Sequence, residues 1–191
     1  MTDALGGTSD KPLELIVNLG PLMARCDGGP AEVGVGYRGG CTARGGLPPY
    51  SCAPVSGTPS AGLTLAGDCS VTGTPTTTGP SPFMTRVTDS GGLSQIVGGN
   101  VIVLPPVRIT TPGLPTGHVK SAYGARLLAS GGKTPLTWSI AEGTLAAGLA
   151  LNPATGVITG RPTAPSSTAM TFRVTDVLGG VSDKTLTLTI D

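Results

Sequence analysis

The chain has few aromatic and few charged residues for its length of 191 residues. Aromatic side chains make up 3% of it, which leaves few rings on which sugars or single-stranded bases could stack. Charged residues make up 12%, and the formal net charge is +1. A phosphate backbone requires a basic surface, and this composition provides none. We therefore expect no nucleic acid among the partners.

Long apolar segments are also missing. No apolar run approaches the roughly 20 residues that a helix needs to span a bilayer, so we expect no membrane insertion. The first ten residues, MTDALGGTSD, contain no basic segment followed by an apolar stretch. Secretory signals need both parts, so we expect synthesis in the cytoplasm without a signal peptide.

Catalytic and metal-binding motifs are not found either. The one histidine, His118, lies in a turn-rich stretch and is expected in a surface loop. No GxSxG nucleophile elbow accompanies it, and the carboxylates are scattered. Asp89 and Asp176 each precede a glycine turn, and they are expected to cap that turn rather than to bind calcium. The sequence thus predicts no enzyme, no cofactor and no metal.

The chain repeats its own pattern. Residues 45–89 and 131–176 share several turn residues in the same order, and both end in Arg-Val-Thr-Asp. The matching turn residues are Gly45-Gly46 with Gly131-Gly132, Gly62 with Gly148, Gly73 with Gly160 and Pro75 with Pro162. Residues 2–17 match residues 175–190, which form the end of a repeat. Self-similarity of this kind, built from short segments, predicts an array of small β-domains.

Short alternating strands separated by glycine and proline turns fill the clearer second copy. One strand is predicted over residues 125–129, and another over residues 184–190 with leucine and isoleucine inward and threonine outward. Arg86 and Arg173 are expected to form cross-strand surface pairs. Turns about every 8–12 residues between such strands indicate a β-sandwich.

The sequence therefore predicts an all-β chain in three parts. Residues 1–19 form an N-terminal extra strand, residues 20–104 form a first sandwich, called domain 1 here, and residues 105–191 form a second, called domain 2. The linker Leu104-Pro105-Pro106 is expected to be extended and semi-rigid, because two prolines restrict it.

The order of motifs in domain 2 resembles a known family. The chain resembles the putative-Ig, cadherin-like repeats of bacterial surface and bacteriophage proteins in the order of its motifs. These are GG-x-x-P, a tryptophan on the next strand, GL-x-L, TG-x-hydrophobic-x-G-x-P and F-x-V-T-D. The resemblance covers about residues 107–191 well and residues 20–104 with gaps. It implies two tandem Ig-like β-sandwich domains and says little about function.

The four cysteines all belong to domain 1. They are Cys26, Cys41, Cys52 and Cys69. An even number confined to one domain predicts two disulfides and an oxidising destination. Zinc is not expected, because no CxxC spacing occurs and no histidine lies near.

Comparison of the two repeats favours one pairing of these cysteines. Cys52 stands where domain 2 has Trp138, and Cys69 falls at the turn that contains Gly156. We therefore expect the pair 52–69 to replace aromatic packing and the pair 26–41 to cross a hairpin. The alternative pairing is Cys41–Cys52 with Cys26–Cys69. A third possibility is that the cysteines form disulfides with neighbouring chains.

The N-terminal segment is a closing strand without the domain that it should close. Leu13, Leu15 and Val17 correspond to the inward residues of the last strand, so they should require burial. We expect them to bind a partner by strand addition to its sheet. The alternative is that the segment extends the first strand of domain 1.

These observations and the resemblance imply a non-catalytic structural protein of a bacteriophage virion. It would be a decoration, collar or tail-associated protein, anchored by its N-terminal segment to other virion structural proteins. A host surface or glycan would be a secondary partner. The alternative is an Ig-like binding or adhesion module of a bacterial surface protein.

Overall fold

A computed structural model of the chain describes residues 20–191, and these residues form strands and turns without a helix. The prediction of an all-β fold is confirmed. The described part of the chain therefore offers no helix of the length and apolarity that crossing a membrane requires. The predicted N-terminal strand, with Leu13, Leu15 and Val17, lies outside the described residues.

Domain 1 consists of two four-stranded sheets. Its strands are β1 (Met23–Asp27), β2 (Ala31–Glu32), β3 (Tyr37–Arg44), β4 (Ser51–Gly57), β5 (Leu63–Leu65), β6 (Ser70–Gly73), β7 (Gly79–Thr88) and β8 (Ser94–Leu104). The sheet orders are β1-β3-β6-β5 and β2-β8-β7-β4. Neighbouring strands are antiparallel except for β2 and β8, which are parallel.

The core of domain 1 lies between these sheets because the strands alternate. On β7, Phe83, Thr85 and Val87 are buried, while the residues between them are exposed. Side chains of a strand point to opposite faces in turn, so one face meets the other sheet. Burying a side chain the size of Phe83 contributes about 1.5–3 kcal/mol.

Domain 2 repeats this plan with shorter sheets. Its strands are β9 (Arg108–Ile109), β10 (Tyr123–Arg126), β11 (Ala129–Ser130), β12 (Thr137–Glu142), β13 (Leu149–Leu151), β14 (Val157–Gly160), β15 (Ser166–Thr175) and β16 (Val181–Ile190). The sheet orders are β12-β15-β16, β10-β14-β13 and β11-β9. The core between them includes Trp138, Phe172, Leu186 and Leu188.

The strand predicted over residues 125–129 is two strands in the structure, and hydrogen bonding explains the break. The Leu127 amide donates to the carbonyl of Gly156 at 2.8 Å. The next amide, of Leu128, donates instead to the Thr111 hydroxyl at 2.7 Å. The chain therefore leaves β14 and joins β9 at this point, which the hydrophobic pattern does not reveal.

The repeated glycines are required where two turns approach each other. Gly73 and Gly160 occupy the same place in the two domains, with φ of 137° and 144°. A Cβ at Gly160 would overlap the carbonyl oxygen of Gly148, and one at Gly73 would overlap that of Gly62. Only glycine tolerates both the positive φ and the close backbone.

Candidate functional site

Two disulfides join strands of domain 1. Cys26 on β1 lies directly opposite Cys41 on β3, and the two are bonded. Cys52 on β4 is bonded to Cys69, which precedes β6 and so links the two sheets. The prediction of two disulfides in this domain is confirmed, and their pairing is the one that comparison of the repeats favours.

The Cys52–Cys69 bridge takes the place of an aromatic side chain. Cys52 pairs across the sheet with Val87 as Trp138 pairs with Val174 in domain 2. The Trp138 ring lies against Gly156, where a Cβ would come within 2.8 Å of its Nε1. Cys69 has φ of 71° and Gly156 has φ of 67°, so the two turns share a conformation.

The core of domain 1 is smaller at a second position as well. Thr85 stands where domain 2 has Phe172, and both are fully buried. The Thr85 hydroxyl donates to the carbonyl of Ala53 at 3.0 Å, which satisfies its polar group. A domain with less apolar volume gains more from cross-links, and this accounts for the concentration of cysteine in domain 1.

Asp89 and Asp176 cap their turns as the sequence predicts. Asp89 accepts hydrogen bonds from the amides of Leu47 at 2.9 Å and Leu93 at 2.8 Å. These hydrogen bonds from backbone amides hold the pKa of Asp89 below its usual value, and the bond from Leu47 has the largest effect. Asp176 accepts from the amides of Lys133, Leu178 and Gly180 at 2.6, 2.9 and 2.7 Å.

Glu32 is a buried acid at the boundary between the domains, and the sequence gives no signal for it. It ends β2, is 1% exposed, and its Oε1 accepts a hydrogen bond from the Val107 amide at 2.7 Å. A Cβ on Gly180 would overlap its carboxyl group, so glycine at that place in domain 2 leaves room for the carboxyl group in its observed position. Glu32 therefore ties domain 1 to the first residues of domain 2.

The second ionisable group at this boundary is Asp176. Burial raises the pKa of Glu32 to about 7, and a hydrogen bond with the Asp176 carboxyl group adds to the increase. Burial acts to raise the pKa of Asp176, but the same hydrogen bond and the backbone amides together hold it below its usual value. Two carboxyl groups bond only when one carries a proton, so Glu32 is the donor and Asp176 the acceptor.

The outer faces of the two equivalent sheets differ in chemistry. In domain 2, Arg173 donates to Asp183 through two nitrogens at 2.8 and 2.7 Å, and Thr171 bonds Thr185 at 3.0 Å. The prediction of a cross-strand pair is thus confirmed for Arg173. For Arg86 it is wrong, because the residue opposite on β8 is Ile96.

Domain 1 exposes apolar side chains on the corresponding face. Met84, Ile96 and Ile102 are 43%, 47% and 50% exposed, and Val55 on the neighbouring strand is 45% exposed. Met84 and Ile102 occupy the positions of Thr171 and Thr189 in domain 2. We call Met84, Ile96 and Ile102 the apolar face of domain 1.

The remaining polar candidates are isolated. His118 is largely exposed, and its Nδ1 contacts the Asp191 carboxyl group. Within residues 20–191, no three His, Cys, Asp or Glu side chains gather closely enough to hold a metal ion. Apart from the Glu32–Asp176 contact, the described acids cap turns or lie on the surface.

Comparison with solved structures places the fold. The I-band fragment I67-I69 of titin superposes with a TM-score of 0.52 and 12% identity, covering 90% of this chain and 66% of that fragment. A 3Ig structure of an E-to-A variant of the same titin domains superposes with a TM-score of 0.50 and 12% identity, covering 88% of this chain and 64% of that one. These likenesses show the fold alone.

A crystal structure of a putative alpha-galactosidase from Bacteroides fragilis shares 29% identity with a TM-score of 0.41. The match covers 45% of this chain and 18% of that enzyme, so the chain spans less than a fifth of its length. No curated protein matches the chain.

A family model described as Putative Ig domain matches residues 105–191. Ig-like domains are typically non-catalytic. The observed sandwiches, the likeness to tandem titin domains and this match agree. Residues 105–191 are therefore similar to the putative Ig domain family, and residues 20–191 have an Ig-like fold.

Proposed function

We propose that the chain is a non-catalytic structural protein of a bacteriophage virion, of the decoration, collar or tail-associated kind. Domain 1 and the N-terminal segment, residues 1–19, face the particle, and domain 2 projects from it. The observation that carries this proposal is the apolar face of domain 1, because its counterpart in domain 2 is polar.

The difference between the two faces supports a defined orientation. Two domains of one fold and one repeat would carry similar outer faces if both were surrounded by water. Large contiguous patches of exposed apolar side chains are typical of protein contacts. The occupant that we propose is another structural protein of the particle, seated on Met84, Ile96 and Ile102 beside the N-terminal anchor.

The disulfides support a role outside the cell. Both lie in domain 1, where the partner contact is proposed. A protein made in the cytoplasm and released with a particle at lysis would form them as it meets an oxidising environment. Cross-links in the attached domain would preserve the contact surface while the particle is outside the host.

Binding to particles that lack the protein tests the apolar face. We expect the double variant Met84→Thr, Ile102→Thr to weaken binding at least tenfold. It gives domain 1 the threonine side chains that domain 2 carries at the matching positions. Each side chain contributes about 1.5–3 kcal/mol when buried, and about 1.4 kcal/mol corresponds to a factor of ten. Sedimentation of particles with labelled protein gives the affinity.

The matched control is Thr187→Ala on the exposed outer face of domain 2, which should leave binding unchanged. Circular dichroism should show the same β content in all three proteins. If the double variant binds as tightly as the unmodified chain, domain 1 does not face the particle through this surface.

Removal of residues 1–18 tests the anchor separately. If strand addition by Leu13, Leu15 and Val17 attaches the protein, the shortened chain should lose particle binding while both domains keep their cooperative unfolding. The same sedimentation measurement and thermal unfolding followed by circular dichroism report the two properties. Unchanged binding of the shortened chain would contradict the anchor.

A further inference from the structure

The two domains meet through a pair of acids rather than through an ion pair of opposite charge. Glu32 comes from the end of β2 in domain 1, and Asp176 comes from the turn between β15 and β16 in domain 2. Both are buried, at 1% and 6% exposed. We call these two residues the junction pair.

The hydrogen bonds of the junction pair leave one oxygen of Glu32 without a donor, and a proton on that oxygen would supply one. Glu32 Oε1 already accepts a hydrogen bond from the Val107 amide, while Oε2 is buried and has no hydrogen-bond partner among residues 20–191. Asp176 already accepts three backbone amides. A proton on Glu32 satisfies Oε2 and bonds the two domains, whereas two bare carboxylates would repel each other.

The surroundings contain few groups that could substitute for this proton. Asp27, Tyr37, Arg38 and Leu178 line a cleft of about 290 Å³ together with Glu32. From domain 2, Lys133 faces Asp176 through its backbone amide. Of these groups, Asp176 is the one that bonds Glu32 and whose charge acts on it.

We propose that the junction pair makes the orientation of the two domains depend on pH, holding them docked when it carries one proton and releasing them when it carries none. This property is independent of the proposed virion role, because it follows from contacts within one chain. A protein that keeps a stiff shape in one compartment would then become more flexible in a more alkaline one.

The direction follows from the proton on Glu32. In the docked state Glu32 keeps its proton up to about pH 7. In the undocked state Glu32 releases the proton near pH 4.5, which is the ordinary pKa of the side chain. The docked state therefore binds more protons between these values, and docking weakens as the pH rises through them. From pH 5.5 to pH 8 the docking constant should fall about 30-fold, most of it below pH 7.

Carboxyl NMR of the full chain tests the proton directly. The sequence contains three glutamates, Glu14, Glu32 and Glu142, so selective ¹³C labelling gives three titrating signals. We expect one to titrate near neutral pH and to vanish in Glu32→Gln. If all three titrate in the ordinary range of glutamate, the proposal is overturned.

Residual dipolar couplings of the two domains test the consequence. We expect one common alignment tensor at pH 5.5 and two different tensors at pH 8. Glu32→Gln should keep one tensor at both values, since its amide donates to Asp176 and cannot ionise, while Oε1 still accepts from Val107. Glu142→Gln, which removes an exposed carboxylate, is the matched control and should behave as the unmodified chain.

Two results would contradict the mechanism. One is a common tensor at both pH values in the unmodified chain. The other is a Glu32→Gln chain whose tensors separate with pH as they do in the unmodified chain. The heteronuclear spectrum of each variant reports whether both domains remain folded, so a folding defect is distinguished from a change in docking.

Discussion

Replacing Trp138 by alanine should lower the free energy of unfolding of domain 2 by about 3–5 kcal/mol. The side chain is 5% exposed and belongs to the cluster that contains Phe172 and Val174. Its ring covers Gly156, so the truncation leaves a cavity that neighbouring turns cannot fill without moving backbone. Urea unfolding followed by far-ultraviolet circular dichroism gives the change.

Hydrogen exchange shows where the effect of this substitution falls. Amides of β12, β14 and β15 should lose protection, while those of β4, β6 and β7 in domain 1 should not. Ser139→Ala, one residue along β12 and exposed, is the matched control and should change the free energy by less than about 0.5 kcal/mol. A loss below about 1 kcal/mol for Trp138→Ala would mean that the ring does not organise the core.

Removing the Cys52–Cys69 disulfide should destabilise domain 1 by about 3 kcal/mol. The two cysteines are 17 residues apart, and a loop of this length restricts the unfolded chain by that amount. Cys52→Ala combined with Cys69→Ala removes the bridge, and the same unfolding and exchange measurements report its effect. Domain 2 should keep its stability.

The equivalence with domain 2 gives a sharper version of this experiment. Cys52→Trp combined with Cys69→Gly transfers the Trp138 and Gly156 pair to the matching positions of domain 1. The left-handed φ at residue 69 suits glycine. We expect part of the lost stability to return without a disulfide. A transferred pair no more stable than the double alanine variant would show that the two arrangements do not occupy equivalent space.

The two repeats made much of this architecture predictable. Trp138, Phe172 and the alternation of β16 indicate buried strands, and comparison of the copies places Cys52 and Cys69 where the ring and the glycine of domain 2 meet. These predictions succeed because the signal is local or is present twice in one chain. The break at Leu127 was missed because it depends on a hydroxyl, Thr111, that is distant in sequence.

Glu32 and the apolar face were not predictable in the same way. Glu32 is a single acid in a stretch rich in glycine and valine, and domain 2 places Asp176 and Gly180 beside it. Ile96 and Ile102 fit a strand on either face, so the pattern does not show that they are exposed. Such features depend on contacts between distant segments, which one sequence does not report.

Antibody labelling of purified bacteriophage particles tests the proposed role most directly. An antibody raised against domain 2 should decorate the surface of particles from the source of this chain, as seen by immunogold electron microscopy, since that domain projects outward. An antibody against the apolar face of domain 1 should bind only after the particles are dissociated. Label on the envelope of uninfected bacteria, with bare particles, would contradict the account and favour an adhesion module of the cell surface.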